Sequence, residues 1–441
     1  RAAGKGIVAL KSGKTEASQA AAASHTASLA GGRAASSAFL RQAGVAEVDT
    51  LSGLIEVLKI FHVHRPGLGS RLCSLSCSGG EAGLVADLGA RFGVTFEPPT
   101  GAQKDRLGAV LGPLVTLANP LDYNTFIWGD GPKTTEVFTA MLEGYDAGIY
   151  IIDPPRPDRC DPASFEPAIA AIEAAQAATG KPAFPVASLP ENFDEDRAIA
   201  MIGRGVVPLM GLETALEALV AARAPAALPG WRPWAVTGGG SMEMLDEVAA
   251  KAALAEAGVR VPKGVTAKTL AGLDPAGLQG PFALKGLGFA HKTEAGAVRL
   301  NVSDPRAEAE MPGAQGYLLE EMVQDGVAEL LIGLRRDPVY GATLTLGLGG
   351  VTAELLADTV TLVAPVTAEE IEAALRRLRL WPLLDGWRGR PKADIGAAIT
   401  AALAMQSMME TDPGLQEIEV NPLILLAEGA VAVDAIIWRK P

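Results

Sequence analysis

Apolar positions in the first half of the chain fall into short continuous runs, each followed by helical periodicity. GIVALKSG (6–13) predicts a buried strand closing at a Gly turn, with a helix after it. VDTLSGLIEVLKIFHVHRPG (48–67) predicts a helix with Thr50 near its start and a Pro66-Gly67 stop. An apolar strand in SRLCSLSC (70–77) runs into Gly79-Gly80, and a helix follows. DAGIYIIDPPRP (146–157) and GKPAFPVASLP (180–190) are two further buried strands, the first ending at Asp153. The helix GLETALEALVAA (211–222) closes the unit. Strands alternating with Ala-rich helices predict βαβ units and a parallel, doubly wound sheet.

All periodicity then breaks. ARAPAALPGWRPWAVTGGGSMEM (222–244) has recurrent Pro and Gly and no apolar face, and reads as a linker. Beyond it the pattern changes character. A helix (LDEVAAKAALAEAGVRVP, 245–262) leads to one strand across 281–302 and another across 316–338. A Gly turn at 347–350, a helix from Thr367 and a terminal strand pair complete the order. Thr367 with Glu370 is a capping box. Strands joined more by turns than by helices predict an α+β unit.

Composition narrows the partners. The 441 residues carry a net charge of −13, which argues against nucleic-acid phosphates or an anionic membrane surface and leaves a small anion open. Cys73, Cys77 and Cys160 are odd in number and spaced unlike a redox pair or a metal knuckle, so reduced thiols and a cytoplasmic setting are expected. No apolar run reaches the roughly 18 residues of a membrane span. The chain opens at Arg1 with a lone strand–helix piece that cannot form a core by itself. Either it leans on a neighbouring domain or, as we expect, further sequence precedes it.

Several residue groups could carry chemistry. His62 and His64 are two apart and share no helical face; a place near the negative helix end explains them better than a metal. Lys285, followed by His291, Lys292 and glycines, suits either a phosphate cradle or a solvated hairpin tip. Glu419 and Asn421 share a strand face, with Asp434 on the next strand: hard oxygen ligands suited to Mg²⁺, or an edge strand's polar face. His25 stands in AAAASHTASLAGG with nothing large beside it.

Taken in order, HKTEAGAVRL (291–300), the segment from EEMVQDG to LADT (320–359) and EVNPLI (419–424) resemble the ATP-grasp domain of the NDP-forming (ADP-forming) acyl-CoA synthetases, relatives of succinyl-CoA synthetase. VALKSGKTEASQAAAASHTASLAGG (8–32) resembles that family's phosphohistidine segment. SLSCSGGEAGLVAD (74–87) with LANPLDYNT (117–125) is similar to its second flavodoxin-like ligase domain. The resemblance implies an α/β chain in which flavodoxin-like, doubly wound parallel-sheet ligase domains precede an α+β ATP-grasp domain. Residues 1–66 would be the end of the first ligase domain, 67–222 the second, 223–243 a linker and 244–441 the ATP-grasp domain.

It further implies an acid–CoA ligase that uses ATP, Mg²⁺ and CoA, releases ADP, acts on a small carboxylic acid and forms a homo-oligomer. ATP would phosphorylate His291, the phosphoryl group would pass to His25 and then to the acid, and CoA would capture the acyl phosphate. Lys285 would hold nucleotide phosphates, and Asn421 with Asp434 would hold the metal. Glu320, Glu321, Met322 and Val323 would form the hinge that reads the purine through backbone groups, with Glu329 on the ribose or purine side. Glu419 would orient a phosphohistidine. Gly79 and Gly80 would offer helix N–H groups to the phosphoryl group, and Asn119 and Asp122 would shape the acid site.

Two small departures stand in this sequence: Ala27 follows SHT and Ala297 follows Gly296, where the family usually has Gly. The family's CoA-binding domain, and the glutamate that pairs with the second phosphohistidine, are expected upstream of Arg1. Two other outcomes of the same layout stay open: a lyase acting on a CoA-activated acid by the same relay, and a regulatory or acyltransferase relative with an inactive relay.

Overall fold

The structure, a computed structural model, describes residues 4–15, 17–18, 32–223, 230–235, 241–289, 296–350 and 358–441. His25, Ala27, His291 and Lys292 lie outside the described residues. The chain divides into two compact units, residues 1–12 with 40–229 and residues 13–39 with 230–441.

In the first unit β1 (Val8–Leu10) runs parallel to β2 (Ala46–Val48). The helix Leu51–Val63 follows, and the Thr50 hydroxyl accepts the Gly53 N–H at 2.9 Å as its cap. A five-stranded sheet is built from β3 (Leu72–Ser76), β4 (Leu121–Asp122), β5 (Ala147–Ile151), β6 (Ala183–Ala187) and β7 (Leu209–Met210). Its order is β4-β3-β5-β6-β7, all parallel, which is the flavodoxin-like arrangement. Every position of β3, β5 and β6 is buried. These strands lack alternation because helices cover both faces. Leu107, Phe138, Met141 and Ile172 fill one side, and Val57, Ile60, Val85 and Leu216 the other. Val8 and Leu10 pack against that second core, so the opening strand leans on the five-stranded sheet.

The second unit holds two antiparallel sheets. β8 (Glu243–Met244), at the end of the expected linker, joins the larger one. β9 (Gly264–Ala267), β10 (Phe282–Leu287), β11 (Val298–Val302) and β12 (Gly316–Glu321) form a smaller sheet in the order β11-β10-β12-β9. β13 (Ala328–Asp337), β14 (Gly341–Leu348), β15 (Thr359–Val363), β16 (Leu415–Leu425), β17 (Ala430–Ala432) and β18 (Ala435–Arg439) complete the larger sheet. Its order is β15-β14-β13-β16-β18-β8, with β17 beside β16.

Each of the two long strands expected from the sequence is thus two. The 281–302 stretch folds back as β10 and β11, and the 316–338 stretch divides into β12 and β13, which belong to different sheets. The burial patterns show why: β12 is buried at nearly every position, whereas β13 alternates along one covered face. That face packs under the helix Ile395–Thr411, through Ala398, Ala402, Met405 and Met409 against Leu334 and Ile418. The apolar periodicity of the sequence predicts no helix there. The capping box at Thr367 and Glu370 is present, with both reciprocal bonds made.

Asn119 has a structural task in the first unit. Its side-chain carbonyl accepts the Ser74 N–H at 3.0 Å, and its amide donates to the Leu72 and Glu97 carbonyls at 2.9 Å each. The three bonds tie the approach to β4 onto β3, and they occupy the amide expected to meet the acid substrate. Asn119→Ala strands three backbone groups at once, and we expect a loss of about 2–3 kcal/mol in urea unfolding of the first unit. A loss under about 0.5 kcal/mol would show the amide to be dispensable.

Candidate functional site

The cleft between the two sheets of the second unit is closed by four buried charges. Lys285 on β10 and Glu320 on β12 lie on the same face of the small sheet, since Lys285 pairs with Leu318 two residues from Glu320. Glu247 and Lys251 are one turn apart on the helix Glu247–Glu256, whose Ala250 and Leu254 belong to the core of the large sheet. The Lys285 ammonium donates to Glu247 at 2.7 Å and to the Val433 carbonyl, and stands 3.1 Å from Glu320. Lys251 donates to Glu320 at 2.5 Å and stands 2.8 Å from Glu247. All four residues are only 2–5% exposed. Burial opposes the charge on Lys285, but Glu247, Glu320 and Asp434 outweigh it and raise its pKa above the usual lysine range. Lys251 is pulled down by burial and by Lys285, against the same two carboxylates.

Glu320 therefore turns its side chain to the lysines. Glu321 accepts the Gln279 N–H at 2.9 Å, and the N–H groups of Glu321 and Met322 donate to the carbonyls of Lys263 and Pro281. Met322 and Val323 line an open cavity of about 890 Å³, together with Val261, Lys263, Gln279 and Glu428. The hinge between the sheets thus borders a space of small-ligand size.

Asn421, Glu419 and Asp434 come together as the sequence spacing proposed, with two differences. β16 lies inside the sheet, so an edge-strand role falls away, and Asp434 sits in the break between β17 and β18 and not on a strand. The Asn421 side-chain oxygen accepts the Gly350 N–H at 3.2 Å, and Asp434 accepts the Ala435 N–H at 2.9 Å. Burial, then Glu417 and Asp434, raise the Glu419 pKa, and a hydrogen bond with Asn421 opposes the rise. Glu329, the second residue of β13, is exposed beside it. A Cβ on Gly350, whose φ is +79°, would meet its carboxylate, and one on Gly349 would meet the Asn421 oxygen at 3.2 Å. No group of three His, Cys, Asp or Glu suited to a metal occurs among the described residues. Carboxylates crowded beside an amide oxygen nevertheless fit Mg²⁺, which takes one or two carboxylates and completes its shell from phosphate and water.

A second constellation lies in the first unit at the carboxyl ends of β3, β4 and β5, where ligands of open α/β sheets bind. Gly79 and Gly80 open the helix Gly79–Arg91, whose Ser78 makes no side-chain cap bond. A Cβ on Gly79 would stand 3.2 Å from an Asp122 carboxylate oxygen. Asp122 accepts the Asn124 N–H at 2.9 Å, and Asp153 accepts from the Ser188 N–H and the Asn192 amide at 2.7 Å each. Glu81 faces both acids. Burial first, then Asp153 and Asp122, push its pKa up to about 7. Burial and then Glu81 also raise the Cys77 thiol. The sequence reading passed over Glu81, Asp153, Glu247 and Lys251. Strand-end position could have found the first two, and an acid–base pair four apart on a largely apolar helix the others.

A flavodoxin-like parallel sheet in the first unit and two antiparallel sheets around a buried lysine in the second define a multidomain α/β architecture. Residues 1–61 match the succinyl-CoA ligase-like flavodoxin domain, and residues 239–438 match the ATP-grasp domain. The beta subunit of ADP-forming acetate–CoA ligase II from Pyrococcus furiosus is 32% identical over 44% of this chain and 91% of its own length. Trans-feruloyl-CoA synthase from an unknown prokaryotic organism is 27% identical, over 99% of this chain and 65% of that protein. ADP-forming acetate–CoA ligase I of Archaeoglobus fulgidus is also 27% identical, over 98% and 65%. The chain belongs to the ADP-forming acyl-CoA synthetase family, with succinyl-CoA ligase-like and ATP-grasp domains. It spans about two thirds, 65%, of the length of the full-length relatives just named. A dinucleotide-forming acetyl-coenzyme A synthetase 1 of Ca. Korarchaeum cryptofilum, solved with coenzyme A, is 29% identical over 45% of this chain and 94% of its own, at a TM-score of 0.43. Among the described residues no helix is long and apolar enough to cross a membrane.

The raised pKa of Glu81 gives a pH test. A carboxyl that holds its proton to about pH 7 when folded, but only to the usual carboxylate range when unfolded, disfavours folding as pH rises between those values. Removing the charge should therefore stabilise the protein only at the upper end. Solvent reaches part of this carboxyl, which discounts the effect to about 1 kcal/mol, or roughly 2–4 °C. We expect Glu81→Gln to melt that much higher than wild type at pH 8 and to coincide with it near pH 4.5. Equal melting temperatures at pH 8 would contradict the raised pKa.

Proposed function

We propose that the chain is the phosphoryl-transfer part of an NDP-forming acid–CoA ligase. What carries this reading is that one chain matches ADP-forming acetate–CoA ligases along 98–99% of its residues while its second unit holds a buried lysine beside a crowded carboxylate–amide set. ATP would lie along the cleft, its purine at the cavity by Met322 and Val323 and its phosphates toward Lys285. Because Glu321 and Met322 spend their N–H groups inside the small sheet, reading of the purine rests on Val323 and the hinge carbonyls. Asn421 and Asp434 would hold Mg²⁺, which when bound screens phosphate charge and polarises the γ-phosphoryl group. Glu329, exposed beside Gly350, would meet the ribose or purine side.

In the proposed sequence a ring nitrogen of His291 attacks the γ-phosphorus, forming an N–P bond as the bond to ADP breaks. The group passes to His25 by a second displacement, and Glu419 orients the phosphohistidine. A carboxylate oxygen of the acid then takes the phosphoryl group to give an acyl phosphate. The CoA thiol attacks its carbonyl carbon, giving the thioester, and phosphate leaves. Neutral imidazole is nucleophilic near pH 7, which suits both histidines to the carrier role. Gly79, Gly80 and Asp122, at a helix start where Ser78 makes no side-chain cap bond, would receive the phosphoryl group and the acid.

The test is direct. Wild-type protein incubated with γ-labelled ATP and Mg²⁺ should acquire acid-labile, base-stable label. His291→Ala should lower it at least a hundredfold, and His25→Ala should retain it, because the first acceptor remains. Undiminished label on His291→Ala, or none on wild type, would refute the relay.

A further inference from the structure

An ammonium group has three protons to donate. Those of Lys285 face Glu247 at 2.7 Å, Glu320 at 3.1 Å and the Val433 carbonyl, so its donors are all directed at protein oxygens. A phosphate oxygen can reach this lysine only by displacing one of them. Release of Lys285 by itself would leave two carboxylates, from residues 2–4% exposed, short of positive charge, an arrangement that buried sites tolerate badly.

Lys251 meets that need. It bonds Glu320 through the oxygen Lys285 does not use, at 2.5 Å, and shares the Glu247 oxygen with Lys285, at 2.8 Å. Each carboxylate thus keeps a cationic partner whichever way Lys285 turns. Lys251 is itself held in place, one helical turn from Glu247 on a helix whose cap is the Asp246 carboxylate, bonded to the Ala249 N–H at 2.7 Å. Two positive and two negative side chains make the set neutral.

We propose that Lys251 is a positioning residue of the nucleotide site: it retains the Glu247 and Glu320 carboxylates while Lys285 exchanges them for a nucleotide phosphate. The inference rests on the reading of this cleft as a nucleotide site and adds to it a residue that touches no ligand. It follows that charge balance, rather than the identity of residue 251, sets how readily Lys285 is released. Removing Lys251 alone leaves the two carboxylates to hold Lys285 more tightly. Removing one carboxylate with it restores neutrality.

The experiment is a titration of the full chain with Mg²⁺ and a non-hydrolysable ATP analogue, followed by calorimetry, with thermal midpoints recorded on the same samples. Lys251→Met is expected to weaken binding at least tenfold. Lys251→Arg, which keeps the charge, should stay within about threefold of wild type. The double variant Lys251→Met/Glu320→Gln should recover most of the lost affinity even where its thermal midpoint remains low. A merely structural lysine gives the opposite order, since two buried substitutions destabilise more than one. Wild-type affinity in Lys251→Met, or no recovery in the double variant, overturns the proposal while leaving the nucleotide site intact. If Lys251→Met does not fold, the double variant decides: binding near wild type supports the proposal and lost binding refutes it. A wild-type chain that binds no nucleotide overturns the reading of the cleft and the inference together.

Discussion

The cleft of the second unit depends on one balance, two ammonium groups against two carboxylates on residues only 2–5% exposed. Neither the helix Glu247–Glu256 nor the small sheet could bury its share alone, because an isolated buried charge costs more than the packing around it returns. Their meeting makes the burial possible and fixes where the two layers touch. Lys285 and Glu320 come from the small sheet, Glu247 and Lys251 from a helix rooted in the core of the large sheet, and Val433 from the break between β17 and β18. The hinge that borders the cavity follows directly after Glu320, so the network also sets the point at which the chain leaves one sheet for the other.

Element types were largely legible from periodicity. The continuous apolar runs became β3, β5 and β6, and the capping residues Thr50 and Thr367 start helices as read. The joins were less visible. Nothing in the spacing of GYLLEEMVQDGVAELLIGLRRD demands that β12 and β13 enter different sheets; that depends on which long-range partner each half finds. The helix Ile395–Thr411 escaped notice for a related reason. Its alanines and methionines leave little contrast between faces, and only the sheet beneath them distinguishes the buried one.

Site residues divided along similar lines. Lys285, Asn421 and Asp434 stand out because polar residue types interrupt apolar strand runs, Lys285 just before Gly286. Lys251 and Glu247 look like an ordinary surface pair four apart on a helix, and only the tertiary structure shows them buried. Asn119 is the reverse case: it stands in a distinctive motif, yet its amide serves backbone groups at Leu72, Ser74 and Glu97. Residue type marks where polar chemistry is concentrated, but hydrogen-bond accounting decides whether a side chain has capacity left for a ligand.

The same accounting separates the two constellations. In the cleft of the second unit the buried charges of Lys251, Lys285, Glu247 and Glu320 offset one another, and an anion enters by exchange with a carboxylate that already has another partner. At the carboxyl ends of β3, β4 and β5 the three acids Glu81, Asp122 and Asp153 face a helix N-terminus with no lysine or arginine bonded to any of them in the hydrogen-bond and ion-pair geometry described above. Burial first, and then repulsion from Asp153 and Asp122, favours the protonated form, so Glu81 holds its proton to about pH 7. An anion brought to Gly79 and Gly80 therefore meets a cluster of acids whose negative charge varies with pH across the neutral range, whereas one brought to Lys285 meets a fixed cation. The two ends of a phosphoryl relay drawn between these sites would differ in kind: one governed by ion exchange, the other by the proton on a single carboxyl group.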